Sequence, residues 1–312
     1  MPGPLAPAVL LPWYEAHARA LPWRAPGVGA WEVLVSEVML QQTPVARVLA
    51  PYATWVARWP TAEACSRTTV ADVVRAWGRL GYPRRALRLR EAAIHCTERF
   101  GGRVPSDPAR LRELPGVGEY TAAAVAAFAT GARVAVVDTN VKRVHARAVT
   151  GVDDPRPVSA ADRRSVAGLL PPLDAARWSV AVMELGATIC TARSPGCAGC
   201  PVRAGCAWLG AGAPTWTGPA GRRQTYAGTD RQVRGRILAL LRDTLTPVPG
   251  RAIDACGPEP AQRARALASL VSDGLAVRLD SGGYTLPSNG VTRTAPQAAH
   301  PGPSPASAPP GR

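Results

Sequence analysis

Four of the seven cysteines of this chain fall within 17 residues, spaced Cys190-x6-Cys197-x2-Cys200-x5-Cys206. A thiol set this dense dictates what its segment can become. An odd total, in a chain long enough to bury a core without cross-links, argues against a disulfide framework. Four thiolates can instead wrap one inorganic centre, either a tetrahedral zinc ion or a [4Fe–4S] cube. Zinc ribbons usually space two C-x2-C knuckles farther apart. Here one C-x2-C sits between two longer arms, which suits the cube better. The remaining Cys65, Cys96 and Cys256 read as small buried hydrophobes.

The rest of the chain must supply a core and a reason for the centre. At 312 residues it has room for about two domains. With 46% hydrophobic and 19% charged residues it is not a disordered chain. Lys plus Arg outnumber Asp plus Glu by 37 to 22, a formal charge of +15. The basic residues are spread along the chain, and Lys142 is the only lysine. An excess of this size fits a polyanionic partner, although a genome bias toward Arg, Ala, Gly and Pro would also enrich arginine. No apolar run reaches the ~20 residues of a membrane helix, and residues 1–22 carry no clean apolar core. A soluble cytoplasmic, nucleoid-associated protein without a membrane partner is expected.

Apolar spacing and Gly/Pro punctuation predict an all-α chain of short helices, among them 6–20, 30–42, 44–58, 83–100, 119–130, 141–149, 174–188 and 201–208. Val134–Val137 is a short extended run before Asp138-Thr-Asn140, a helix-cap pattern. Residues 211–227 read as a linker. A second unit at 228–287 combines helices at 230–243 and 260–273 with a hairpin signal around Asp280-Ser-Gly-Gly283, a winged-helix-like arrangement. Residues 288–312 are Pro/Ala/Ser-rich and are expected to be disordered.

Leu114-Pro-Gly116-Val117-Gly118 lies between two helical stretches. Two glycines in a tight turn let backbone N–H groups approach an anion, helped by the positive end of the next helix. This is the pattern of a helix-hairpin-helix phosphate clamp. Together with the four-cysteine loop, it resembles the endonuclease III superfamily of DNA glycosylases. Leu21-Pro-Trp-Arg24, Ser36-Glu-Val-Met-Leu-Gln-Gln-Thr43 and Val137-Asp-Thr-Asn-Val-Lys-Arg-Val144 resemble its adenine DNA glycosylase (MutY) branch. The match covers roughly residues 9–210. It implies a six-helix module at 24–132 facing a cluster module built from 1–23 and 133–210, with DNA in the cleft between them.

Glu37 sits between Leu34 and Val38, one helical turn from Val33 and Leu40, so burial would raise its pKa and make it a proton donor near neutral pH. An exposed helical Glu paired with arginine is the plainer alternative. By resemblance, Glu37 protonates N7 of a flipped adenine. Asp138 is a plain N-cap on local sequence alone; the resemblance makes it the carboxylate that supports the sugar cation, with Asn140 orienting it. Tyr120 stands where strand-cleaving relatives carry lysine, and a phenol forms no Schiff base. The resemblance therefore implies a monofunctional enzyme. Lys142 is expected to contact phosphate, and Arg24 to contact DNA. Gln42 and Tyr82 resemble residues that wedge into the duplex, although Tyr82 is followed by Pro83-Arg84-Arg85 rather than a second tyrosine. Arg84, Arg85, Arg88 and Arg90 read equally as phosphate contacts or a solvated face.

The implied reaction is release of adenine mispaired with 8-oxoguanine or guanine from double-stranded DNA, by a monomer carrying a structural [4Fe–4S] cluster on Cys190, Cys197, Cys200 and Cys206. Many relatives append a Nudix-like domain that helps recognise 8-oxoguanine; the unit at 228–287 is too short for one. The rivals are a mismatch thymine glycosylase and a non-catalytic iron–sulfur DNA-binding protein.

Overall fold

The structure is a computed structural model that describes residues 3–218 and 226–288. The expected disordered tail beyond 288 and the middle of the 211–227 linker lie outside the described residues. The described chain is helical, as its punctuation predicts.

Helix α1 (Pro7–His17) opens the chain and joins a core formed much later in the sequence. Helix α2 (Ala30–Leu40) organises the first core. Eight of its eleven residues are buried, Glu37 among them, because it is apolar nearly all round. A helix with no polar face becomes the centre of a bundle rather than its surface. Around it fold α3 (Val45–Arg58), α4 (Ala62–Ser66), α5 (Val70–Trp77), α6 (Arg84–Arg99), α7 (Pro108–Leu111) and α8 (Glu119–Thr130). Thr61, Thr69 and Asp107 cap α4, α5 and α7 with their side chains. The core includes Leu34, Met39, Trp55, Trp77, Leu89 and Leu114.

The second core combines α1 with α9 (Thr139–His145), α10 (Ala160–Ala167) and α11 (Ala175–Thr188), around Leu10, Val141, Trp178 and Leu185. The indole of Trp178 donates to the Leu5 carbonyl at 2.7 Å, which ties the N-terminal segment to α11. The helix expected over 141–149 begins at Thr139, passes into a single π-turn at Ala146–Thr150 and closes on Gly151 in the left-handed region. The helix expected over 201–208 is instead a 3-10 turn at Arg203–Gly205 followed by the short α12 (Ala207–Gly210), with Cys206 between them.

Beyond the linker come α13 (Asp230–Asp243), α14 (Gly250–Asp254), α15 (Pro260–Ser272) and a two-stranded antiparallel pair, β1 (Val277–Arg278) and β2 (Tyr284–Thr285). This unit is not a loose appendage. Val233, Ile237 and Leu270 share a core with Ala71 and Val74 of α5, and the Ala71 N–H donates to the Pro287 carbonyl at 2.8 Å. No helix among the described residues is long and apolar enough to cross a membrane.

The two main cores are joined by charge as well as by packing. Glu184 on α11 has a fully buried side chain and accepts from Arg19 Nε at 2.6 Å and Arg24 Nη1 at 2.8 Å. Burial pushes the carboxyl up, but the two guanidiniums outweigh it and hold Glu184 down at about 2. A depressed carboxylate stabilises the fold above its ordinary range and loses that contribution as pH falls through its folded value. Glu184→Ala should therefore cost on the order of 3 kcal/mol at neutral pH, because it leaves two cations unpaired. The parent is expected to lose melting temperature between pH 4.5 and 2, and Glu184→Gln should flatten that loss. An unchanged acid limb in thermal melts would reject this role.

Candidate active site

The cleft between the two cores has a volume of about 920 Å³ and brings together Arg24, Glu37, Gln42, Tyr120, Asp138 and Asn140. Each arrives from a different local cause. Glu37 is carried in by the all-apolar α2. Tyr120 stands in the first turn of α8, just past the hairpin, where α8 packs on α2. Asp138 is the N-cap of α9.

Burial dominates the state of Glu37 and raises its pKa to about 7. The Tyr120 hydroxyl donates to the carboxylate and opposes that rise, Asp138 adds to it by like-charge repulsion, and Arg24 opposes it. The Tyr120 phenol is itself pushed well above its usual range, first by burial and then by the two carboxylates. Burial also raises Asp138, but donors hold its charged form. Its Oδ1 accepts the Val141 N–H at 2.7 Å and its Oδ2 accepts Asn140 Nδ2 at 2.7 Å. Asp138 is thus an N-cap and a cleft carboxylate at once; the two readings of it are not exclusive.

Asn140 is itself held. Arg143 Nη2 donates to Asn140 Oδ1 at 2.7 Å and to the Gly186 carbonyl at 2.7 Å, while Arg143 Nε donates to the Cys190 carbonyl at 2.7 Å. One turn later the buried Arg147 donates to the carbonyls of Thr191 and Ala192 at 2.7 and 3.1 Å, and lies 3.5 Å from Cys190 Sγ. Two arginines four residues apart on one helix face therefore clamp the start of the four-cysteine loop. Cys190, Cys197, Cys200 and Cys206 line a single cavity with Leu185, Ile189 and Val202. Burial raises the Cys200 thiol, and the other three thiols raise it further, so the four sulfurs face one another. Among the described residues no three His, Cys, Asp or Glu side chains gather closely enough to hold one metal ion. A single zinc needs its sulfurs ~2.3 Å from one point. Four thiols lining one cavity, with no other donor type among its ligating groups, have the donor chemistry that an iron–sulfur centre takes.

Residues 35–163 match the HhH-GPD superfamily base excision DNA repair proteins. The chain is 53% identical over 290 residues to the adenine DNA glycosylase of Mycolicibacterium smegmatis, which covers 92% of this chain and 98% of that protein. This chain belongs to the adenine DNA glycosylase family. It is also 42% identical over 210 residues to the Homo sapiens adenine DNA glycosylase, covering 63% of this chain and 38% of that protein. Among solved structures, a thermostable thymine-DNA glycosylase aligns with TM-score 0.61 and 27% identity over 65% of this chain and 94% of its own. A trapped endonuclease III–DNA covalent intermediate aligns with TM-score 0.57 and 22% identity over 66% and 94%, which reports the shared fold.

Against the family pattern, several expected DNA contacts stand differently. Lys142 does not offer its amine to phosphate. Its Nζ is buried and donates to Asp154 Oδ2 at 3.0 Å and to the Arg156 carbonyl at 2.6 Å. The segment after Gly151 folds back over α9 and consumes the charge. Arg24 lies inside the cleft with Glu184 rather than on an outer face. In the hairpin, Leu114 and Val117 are core side chains whose N–H groups bond within the turn, leaving Gly116 and Gly118 as the positions of open backbone. Gly116 has φ +81°, and a Cβ there would lie 2.7 Å from Arg88 Cβ, so only glycine fits beside α6.

Gln42 and Tyr82 stand on the rim, both exposed and both with positive φ, 54° and 45°. Between their loops runs Arg85, whose guanidinium donates to the Val38 and Met39 carbonyls at 2.9 and 3.1 Å and to the Gly81 carbonyl at 3.2 Å. It also caps the Gln41 carbonyl and lies over the rings of Trp77 and Tyr82. Of the arginine run, Arg84 pairs with Asp273, Arg88 with Glu91, and Arg90 binds the Thr68 carbonyl. The run is neither one phosphate face nor one solvated face.

Sequence reasoning missed Gly186. A Cβ there would lie 2.8 Å from both Cβ and O of Asn140, so α11 touches α9 at the residue that orients Asp138. A Gly186→Ala substitution must push α9 and displace the pair. A displacement of this kind costs on the order of 100-fold in rate when reacting groups must align. Single-turnover base release by Gly186→Ala should fall by about that order, while Gly199→Ala, at a position with open space, should leave it unchanged. Equal rates for the two variants would show that this contact does not set the geometry.

Proposed function

We propose that this protein is a monofunctional glycosylase that removes adenine mispaired with 8-oxoguanine or guanine in double-stranded DNA. The observation that carries the reading is the pairing of Glu37 and Asp138 across one cleft in contrasting environments. Adenine leaves poorly as an anion, so a ring nitrogen must be protonated as the bond to the sugar breaks. Glu37, raised to about 7 by burial, holds a proton in a substantial fraction of molecules near neutral pH and gives it to N7. Tyr120 then stabilises the carboxylate left behind. Asp138, fixed by Asn140 and the Val141 N–H, faces the cation that develops at the sugar. Water completes the sugar and leaves an abasic site.

The same geometry supports base release without strand cleavage. Tyr120 has no amine, and the only lysine is committed to Asp154. The four cysteines would hold a [4Fe–4S] cluster, which fastens the loop that Arg143 and Arg147 join to α9. A monomer fits this scheme, since every group in it comes from one chain. Thymine release is the second reading, supported by the aligned thymine-DNA glycosylase. The Gln-Gln-Thr sequence after Glu37 and the 53% identical relative favour adenine.

Duplexes carrying A:8-oxoG, A:G, T:G or thymine glycol separate these readings. Breaks that appear only after hot alkali, and only from the adenine mispairs, are expected. Breaks without alkali reject the monofunctional assignment, and release from T:G alone rejects adenine. Glu37→Gln should bind the A:8-oxoG duplex but release no base.

The rate should also follow the protonated fraction of Glu37. Because the acid form is the active one, single-turnover release is expected to be flat below pH 7 and to fall about tenfold per unit above it. A rate that rises through pH 7 would remove Glu37 as the acid.

A further inference from the structure

A hollow separate from the catalytic cleft stands where α6 ends and α7 begins. Its volume is about 360 Å³, and it shares no lining residue with the cleft. Helix α6 starts beside the rim at Arg84 and ends at Arg99, about 22 Å away at ~1.5 Å rise per residue. Gly101 and Gly102, with φ +61° and +78°, reverse the chain there. The Phe100 and Gly102 N–H groups both donate to the Cys96 carbonyl at 3.0 Å, which fixes the reversal to the helix.

The lining is amphipathic. Arg99, Arg103 and Arg110 bring three exposed guanidiniums to it, and Phe100, Val104 and Pro105 supply its apolar part. The acidic residue in the lining, Asp107, is already committed: its Oδ1 accepts the Ala109 and Arg110 N–H groups at 3.0 Å as the cap of α7. Arg99 pairs with Glu113 at 3.2 Å and lies over the Phe100 ring, so one guanidinium is anchored against the apolar part. Arg103 and Arg110 form no ion pair with a described residue, which leaves two cations uncompensated beside exposed apolar surface.

We propose that this hollow is a docking site for a short acidic segment of a partner protein, in which an apolar side chain lies between carboxylates. The inference does not depend on the reaction assigned to the cleft. Guanidiniums recognise carboxylates through paired N–H donors, and Arg103 and Arg110 have those donors to offer. A phosphate backbone would satisfy the charge as well. It has no apolar side chain to set against Phe100, Val104 and Pro105, and that part of the lining favours a peptide. The hollow has room for a few side chains rather than a folded domain, so the occupant is a segment. Its distance from the rim along α6 lets such a segment bind while DNA occupies the cleft.

The test is fluorescence anisotropy of the full chain with a fluorescein-labelled peptide, Glu-Asp-Leu-Asp-Phe-Glu. A second peptide, with Ser in place of Leu and Phe, carries the same charge without the apolar side chains. Saturable binding of the first, about tenfold tighter than the second, is expected. Arg103→Ser/Arg110→Ser should weaken that binding about tenfold. Arg103→Lys/Arg110→Lys should lose less, because the charge remains. A saturating A:8-oxoG duplex should leave the peptide bound, and duplex affinity should be the same in both variants as in the parent. Absence of saturable binding below about 1 mM overturns the proposal. Equal affinity for the two peptides, or unaltered affinity in the Ser pair, does so too. Displacement of the peptide by the duplex, or loss of duplex affinity in the Ser pair, would make the hollow a DNA contact and overturn it. An equal loss in the Ser and Lys pairs also overturns it, because that outcome reports altered structure rather than lost charge.

Discussion

The chemistry proposed for the cleft depends on keeping one carboxyl away from water. A carboxyl in contact with solvent is ionised at neutral pH and has no proton to give. Burial raises Glu37 to about 7 because α2 is apolar on nearly every face and lies at the middle of its bundle. Asp138 is raised by burial as well, but there hydrogen-bond donors oppose the rise. It stands at a helix N-terminus, with a backbone N–H and an amide donor on its two oxygens. The two carboxyl groups of one cleft thus stand in different settings, one inside a helix and the other at a helix start.

Glu37 and Asp138 thus come from different cores, so the cleft is only as exact as the joint between them. The joint has several independent ties. Glu184 holds Arg19 and Arg24 across it, and Arg163 meets Glu119 at the start of α8 at 2.9 Å. Small residues let helices approach where catalysis needs them close. Ala124 and Ala127 of α8 pack toward α11, and Gly186 of α11 touches Asn140. Arg143 then carries the constraint onward to Cys190. The four-cysteine loop is in effect the far anchor of the helix that presents Asp138.

The features legible in the sequence were those whose cause is local. The cysteine spacing, the Pro-Gly-Val-Gly turn, the cap at Asp138 and the apolar run around Glu37 each follow from neighbours within a few residues. The residues that escaped notice act across the fold. Arg143, Arg147 and Glu184 look like ordinary helix-face charges until α11 and the cysteine loop close over them. Gly186 reads as a weak point in a helix, whereas it is a contact surface. Lys142 shows the reverse error. Proximity to Asp138 in sequence suggested a DNA contact, but the loop carrying Asp154 returns to bury the amine. The arginines after Tyr82 defeated a single reading because their four partners come from four different places.

The rim also shows how the fold concentrates strain where it is useful. Gln42 and Tyr82 are non-glycine residues at positive φ, conformations that cost about 1–3 kcal/mol each and persist only when their surroundings overdetermine them. Arg85 supplies that determination. It binds carbonyls at the end of α2, binds the Gly81 carbonyl and lies over the Tyr82 ring, so one guanidinium sets both loops. Its ligands Val38 and Met39 follow Glu37 directly on α2. The two residues proposed to enter the duplex and the acid proposed to act on the displaced base are therefore parts of one rigid body.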